Sequence, residues 1–175
     1  MRTFAFASLL IALFSCKEIT FKEPQPRGKK ALKEIPKTMV GTYLLTNEKD
    51  GETDTLFVSS KGYIIASDKK GGDLGDSLVV KKFQGYYFIN INENPEWLLR
   101  IIKQERNGDL VYMIMEEEEG SSFKEFLIKI SKEIKVDSIE INGEKLYQID
   151  PSPKQLVRLI ENGYFKKTVE MKKLK

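Results

Sequence analysis

The chain has 175 residues, no histidine and a single cysteine, Cys16, which removes His-based triads, paired-thiol redox chemistry and ordinary zinc sites. With 41% hydrophobic and 31% charged residues, most of it is expected to fold as one globular domain rather than stay disordered. The net charge of +3 is uneven, seven Lys/Arg against three Glu in residues 17–37 but 21 against 23 in 38–175, so the domain is slightly acidic and nucleic acid is not an expected partner.

The N-terminus carries the clearest signal. Arg2 precedes an apolar run at 4–14 broken only by Ser8. A run of that length fits the core of an export signal and falls short of the roughly 20 residues that span a bilayer. It ends in Leu13-Phe14-Ser15-Cys16, which resembles the lipobox of bacterial lipoproteins. The resemblance implies that 1–15 is a signal peptide cleaved before Cys16, and that Cys16 is lipidated on its thiol and new amine. Several acyl chains anchor firmly, at about 0.8 kcal/mol per buried methylene. Lys17-Glu18 follow. The absence of Asp there sets the chain apart from enteric lipoproteins retained in the inner membrane, and the Lys-acidic pair is similar to surface-export signals of Bacteroidota lipoproteins. The expected location is a bacterial envelope, on the outer membrane, facing the periplasm or the outside.

Residues 16–37 read as the lipidated cysteine and a flexible basic linker, since Pro24, Pro26, Gly28 and Pro36 lie among charges. Such a chain would hold the domain about 25 Å from its anchor. From residue 38 onward a single β-rich domain is expected. Short apolar runs predict strands at 40–46, 54–59, 63–67, 77–83, 86–91, 97–103, 110–115, 123–131, 136–141 and 145–149, with a last one at 165–174. Asn107-Gly108 and Asn142-Gly143 predict type I′ hairpins. Turns every 8–12 residues or so indicate an antiparallel meander closed as a small barrel or packed as a sandwich. One helix is expected at 152–162. Ser152-Pro153-Lys154-Gln155 forms a capping box with proline at the first helical position, Leu156, Leu159 and Ile160 form an apolar stripe, and Asn162-Gly163 ends it. Gly41-Thr42-Tyr43 at the start of the first domain strand, with the long meander and late helix, is similar to lipocalin-like lipoprotein domains. Their signature is Gly-x-Trp, and here Tyr43 stands in place of the tryptophan.

Few residues suggest chemistry. The loop 68–76 holds three aspartates and three glycines but matches no calcium motif, so it reads as a flexible connection and not a metal site. Glu116, Glu117, Glu118 and Glu119 read as a solvated hairpin tip able to meet a basic partner. Trp97 follows Asn94-Pro95-Glu96 and is a candidate partner contact near a loop. No catalytic elbow or phosphate loop is present, and no cofactor is expected. Ile64, Ile65, Leu78, Val80, Ile102 and Ile128, among others, offer bulk enough to fill a small barrel. This favours a non-enzymatic interaction or assembly role with an envelope protein. The alternative is a lipocalin-like carrier of a small apolar ligand or lipid.

Overall fold

The computed structural model describes residues 18–117, 120–141 and 143–174. Its elements run β1 (Ile19–Phe21), β2 (Gly41–Asn47), β3 (Thr53–Val58), β4 (Gly62–Ile65), β5 (Gly71–Asp73), β6 (Leu78–Phe83), β7 (Tyr86–Asn92), β8 (Trp97–Gln104) and β9 (Leu110–Met115). Then come α1 (Phe123–Ile130), β10 (Val136–Ile141), β11 (Glu144–Ile149), α2 (Pro153–Glu161) and β12 (Phe165–Lys173). The fold is mainly β, as the turn spacing predicts.

The sheet forks at β8. One edge of β8 pairs along its whole length with β7, which pairs with β6. The other edge is shared, with Phe21 of β1 opposite Trp97 and β9 taking over from Arg100 opposite Ile114. The β1 branch continues in parallel to β11 and then to β10. The β9 branch continues through β12, β2, β3 and β4 to β5. This second branch curls until residues of β3 and β4 face those of β6 and β7 across one hollow. It does not close into a barrel, because β5 and β6 form no ladder. Gly75 N–H donates to the Leu78 carbonyl at 3.1 Å in the connection between these two ends.

Successive strand side chains point to opposite faces, and here both faces are buried. Leu99 and Ile101 enter a cluster with Phe88, Ile19, Phe21 and the inner sides of both helices, including Phe126, Ile130, Leu156 and Leu159. Their neighbour Ile102 enters a second cluster inside the curl with Tyr43, Leu56, Tyr87 and Leu110.

The predicted helix at 152–162 forms as α2, with Gln155 N–H donating to Ser152 Oγ at 3.3 Å and Ser152 N–H donating back to Gln155 Oε1 at 3.0 Å. The expected strand at 123–131 is instead α1. Ser122 and Glu125 make a second capping box, Ser122 N–H donating to the Glu125 carboxylate at 2.7 Å. Phe123, Phe126, Leu127 and Ile130 recur at helical spacing and pack on the first cluster. The Asn107-Gly108 hairpin forms, but only Gly108 has positive φ, and Glu105 N–H donates to the Asp109 carbonyl at 2.8 Å. The two-residue turn with both φ positive is Gln84-Gly85, at 46° and 84°, joining β6 to β7 as type I′ geometry requires. Asn142 lies outside the described residues. The 68–76 loop is not a simple connection, since Gly71–Asp73 forms β5 against β4. Gly71 fits there because a Cβ would fall 2.1 Å from the Tyr63 carbonyl oxygen.

The largest correction concerns residues 18–37, which are not a free linker. Ile19 and Phe21 are each 1% exposed. Gln25 is fully buried, its N–H donating to Asn90 Oδ1 at 2.6 Å while Asn90 Nδ2 donates to the Gln25 carbonyl at 2.9 Å. Lys81 Nζ donates to the Pro26 carbonyl at 3.1 Å. Leu32 N–H then bonds the Val80 carbonyl at 2.7 Å, covering the edge of β6, and Ile35 N–H bonds the Ser60 carbonyl at 2.9 Å. Proline and charge mark a chain that cannot pair continuously; here its sparse apolar residues and backbone groups dock it all the same.

Phe21→Ala is expected to lower stability by about 3–5 kcal/mol, the usual cost of emptying a buried aromatic site, whereas Lys30→Ala, on an exposed side chain of the same segment, is expected to change it by less than about 0.5 kcal/mol. Urea unfolding followed by circular dichroism measures both. Equal, negligible shifts would mean that the segment is a linker after all.

Candidate functional site

The hollow inside the curl has a volume of about 280 Å³, near the lower end of small-molecule sites, which span roughly 300–1,000 Å³. Strand alternation builds it. Leu56 and Val58 come from β3, Tyr63 and Ile65 from β4, Leu78 and Val80 from β6, Ile89 and Ile91 from β7, and Leu110 and Tyr112 from β9. Leu45, Val169 and Met171 complete the walls from β2 and β12, and Ile35 and Met39 reach in from the docked N-terminal segment. Tyr43 is fully buried beside this wall and donates its hydroxyl to the Met39 carbonyl at 2.8 Å. This tyrosine ties the chain just ahead of β2 to β2 itself.

One lining residue is charged. Arg100 projects from β8 between Leu99 and Ile101, which serve the other core. Its side chain is 14% exposed and pairs with Glu18, itself 23% exposed. The contact is two-pronged, Nη1 donating to Oε1 and Nη2 to Oε2, the latter at 3.1 Å. Nη1 also donates to the Leu99 carbonyl at 3.1 Å. Two-pronged pairing of this kind matches the planar guanidinium to a carboxylate. Burial disfavours the charged guanidinium, but the hydrogen bond to Glu18, helped by Tyr112, outweighs it and holds Arg100 above its ordinary value. The Tyr112 and Tyr63 phenols line the same hollow. Burial pushes both upward, and the nearby Arg100 charge opposes the shift in each. Tyr43 is raised by burial and by Asp109. The site is thus an apolar chamber with one cation and two neutral phenols, a set that can hold an apolar body and orient one polar group.

The residues singled out from sequence do not assemble here. Cys16, Glu118 and Glu119 lie outside the described residues. Trp97 is half-buried against the helix-side core, opposite Phe21. Glu116 pairs with Lys49 in the turn between β2 and β3 at 3.2 Å, and Glu117 is partly buried. Asp68 of the 68–76 loop pairs with Lys70 at 3.1 Å, and among the described residues no group of three or more acidic or thiol side chains gathers as a metal site. The aliphatic residues expected to fill a barrel are divided between faces. Ile65, Leu78, Val80 and Ile102 line the hollow, whereas Ile64 and Ile128 are exposed at 43% and 54%. The bulk is therefore spent on two cores and a surface, and the interior stays hollow. Sequence does carry one signal for the missed residue, because Arg100 interrupts the run Leu98-Leu99-Arg100-Ile101-Ile102.

No protein-family model matches this chain, and no curated protein and no solved structure matches it either.

Tyr43, Tyr63 and Tyr112 hold their protons more tightly folded than unfolded. Their contribution to stability is complete below the ordinary tyrosine value near 10 and is lost as pH rises through the folded values. Unfolding free energy is expected to fall with rising pH above about 10, less steeply in Tyr63→Phe/Tyr112→Phe. Denaturant titrations at stepped alkaline pH check this; a slope unchanged by the double substitution would contradict it.

Proposed function

We infer that this chain is a non-enzymatic, lipid-anchored envelope protein that holds a small, largely apolar ligand in the hollow of its curled sheet. The observation that carries the reading is the hollow itself, lined mostly by inward apolar side chains with Arg100 and two tyrosines among them in the way that binding sites for apolar molecules are lined. The interaction role favoured by composition assumed that those residues would fill the interior. One feature still supports it as a second reading: among the described residues β10 pairs only with β11, leaving the far edge of Val136–Ile141 open to another strand.

The anchor reading rests on Leu13-Phe14-Ser15-Cys16 behind an apolar run. It places the domain at a bacterial membrane, with the outer membrane proposed from the Lys17-Glu18 pair. A Cys16→Ser chain is expected to leave the membrane fraction, and one that still sediments with membranes would remove the anchor.

For the ligand, the test is native mass spectrometry on detergent-free protein spanning residues 16–175 with Cys16→Ser, alongside fluorescence of the neutral probe N-phenylnaphthylamine. A bound mass lost on denaturation, or saturable probe fluorescence, is the expected result. Ile89→Trp, which fills the hollow, should weaken probe binding at least about tenfold while the circular dichroism spectrum is kept. Binding that is unaffected by the filled hollow would overturn the reading.

A further inference from the structure

We propose that Arg100, with Tyr112 and Tyr63, is a head-group site for a single-chain amphiphile bearing a carboxylate, and that Glu18 occupies this site when no ligand is present. The inference rests on the ligand-binding reading above and specifies the ligand's chemistry.

Three observations lead there. First, an arginine is placed in a wall that is otherwise aliphatic and phenolic. A cation that only stabilised the fold would be costly in such a wall, since a buried ion pair seldom outperforms apolar packing of the same volume. Second, the structure already shows a carboxylate seated on the guanidinium by both Nη atoms, so the position accepts that group in the geometry it prefers. That carboxylate comes from Glu18, one residue ahead of β1. Both Nη atoms of Arg100 serve Glu18, so a ligand carboxylate on the guanidinium would have to displace it. Third, the Tyr63 and Tyr112 side chains line the same hollow and feel the Arg100 charge. Both phenols stay neutral at physiological pH and so are hydroxyl donors in the chamber available to a ligand carboxylate.

The size fits one chain. At about 30 Å³ per water-sized group, close to the bulk of a methylene, 280 Å³ takes about nine such groups. A ten-carbon acid is therefore the probe, and the ten-carbon alcohol is its uncharged control. The acid is selected by exchange: the one positive side chain of the chamber wall is already met by the Glu18 carboxylate, and an acid that displaces Glu18 takes over that pairing where an alcohol cannot.

The experiment is displacement of N-phenylnaphthylamine from the 16–175 chain carrying Cys16→Ser, using decanoate and decanol in turn. Decanoate is expected to bind more tightly than decanol. Glu18→Gln should tighten decanoate by about tenfold, the scale of one charge-assisted hydrogen bond released, and leave decanol unchanged. Glu18→Gln/Arg100→Gln, which removes both charges together, should abolish the preference for the acid. If that variant does not fold, Tyr112→Phe serves instead and should reduce the preference. Equal binding of acid and alcohol, unmoved by any of these substitutions, would overturn the head-group site and leave the apolar carrier intact. Failure of the probe and both ligands to bind would remove the carrier reading itself.

Discussion

The middle of β8 has no face toward water. Leu99 and Ile101 look into the helix-side core, while Arg100 and Ile102 look into the curl. A strand in that position has to be covered twice. The chain does so by two means: helices and the β1–β11–β10 branch close one side, and the long meander rolls over to close the other. The fork in the sheet follows from this demand, because one edge of β8 must serve both coverings. Two cores share one set of strands, and the hollow lies on the side where no helix packs.

Much of the meander was legible in the sequence, because turn residues and short apolar runs report directly on hairpins. The strands from β6 to β9 fall within a residue or so of their predicted ends. Two elements were hidden for separate reasons. At 123–131 the apolar residues suit either period, and the deciding signal was Ser122 three residues before Glu125, the same box that identified α2. At 19–21 a three-residue strand sits in linker composition, and its partners lie more than a hundred residues away in β11. No local pattern reports a contact at that separation.

The site was hidden by the same physics. Attention to acidic clusters and exposed aromatics looks for groups that face water, whereas the chemistry here faces inward. Glu18 and Arg100 are 82 residues apart in the chain and become a pair only when β1 docks. Tyr63 and Tyr112 look like ordinary strand aromatics until the curl brings β4 and β9 to the same wall. In this largely buried setting the Arg100–Glu18 pair is screened less than the exposed pairs on the surface.

The docking of residues 18–37 also changes how an anchored protein of this design would sit. A loose tether lets a domain tumble and sample a shell of solvent. Here Glu18 is clasped to β8 two residues after Cys16, and two residues of extended chain reach about 7 Å at most. A lipid on Cys16, as proposed, would then act as a short pivot rather than a long tether.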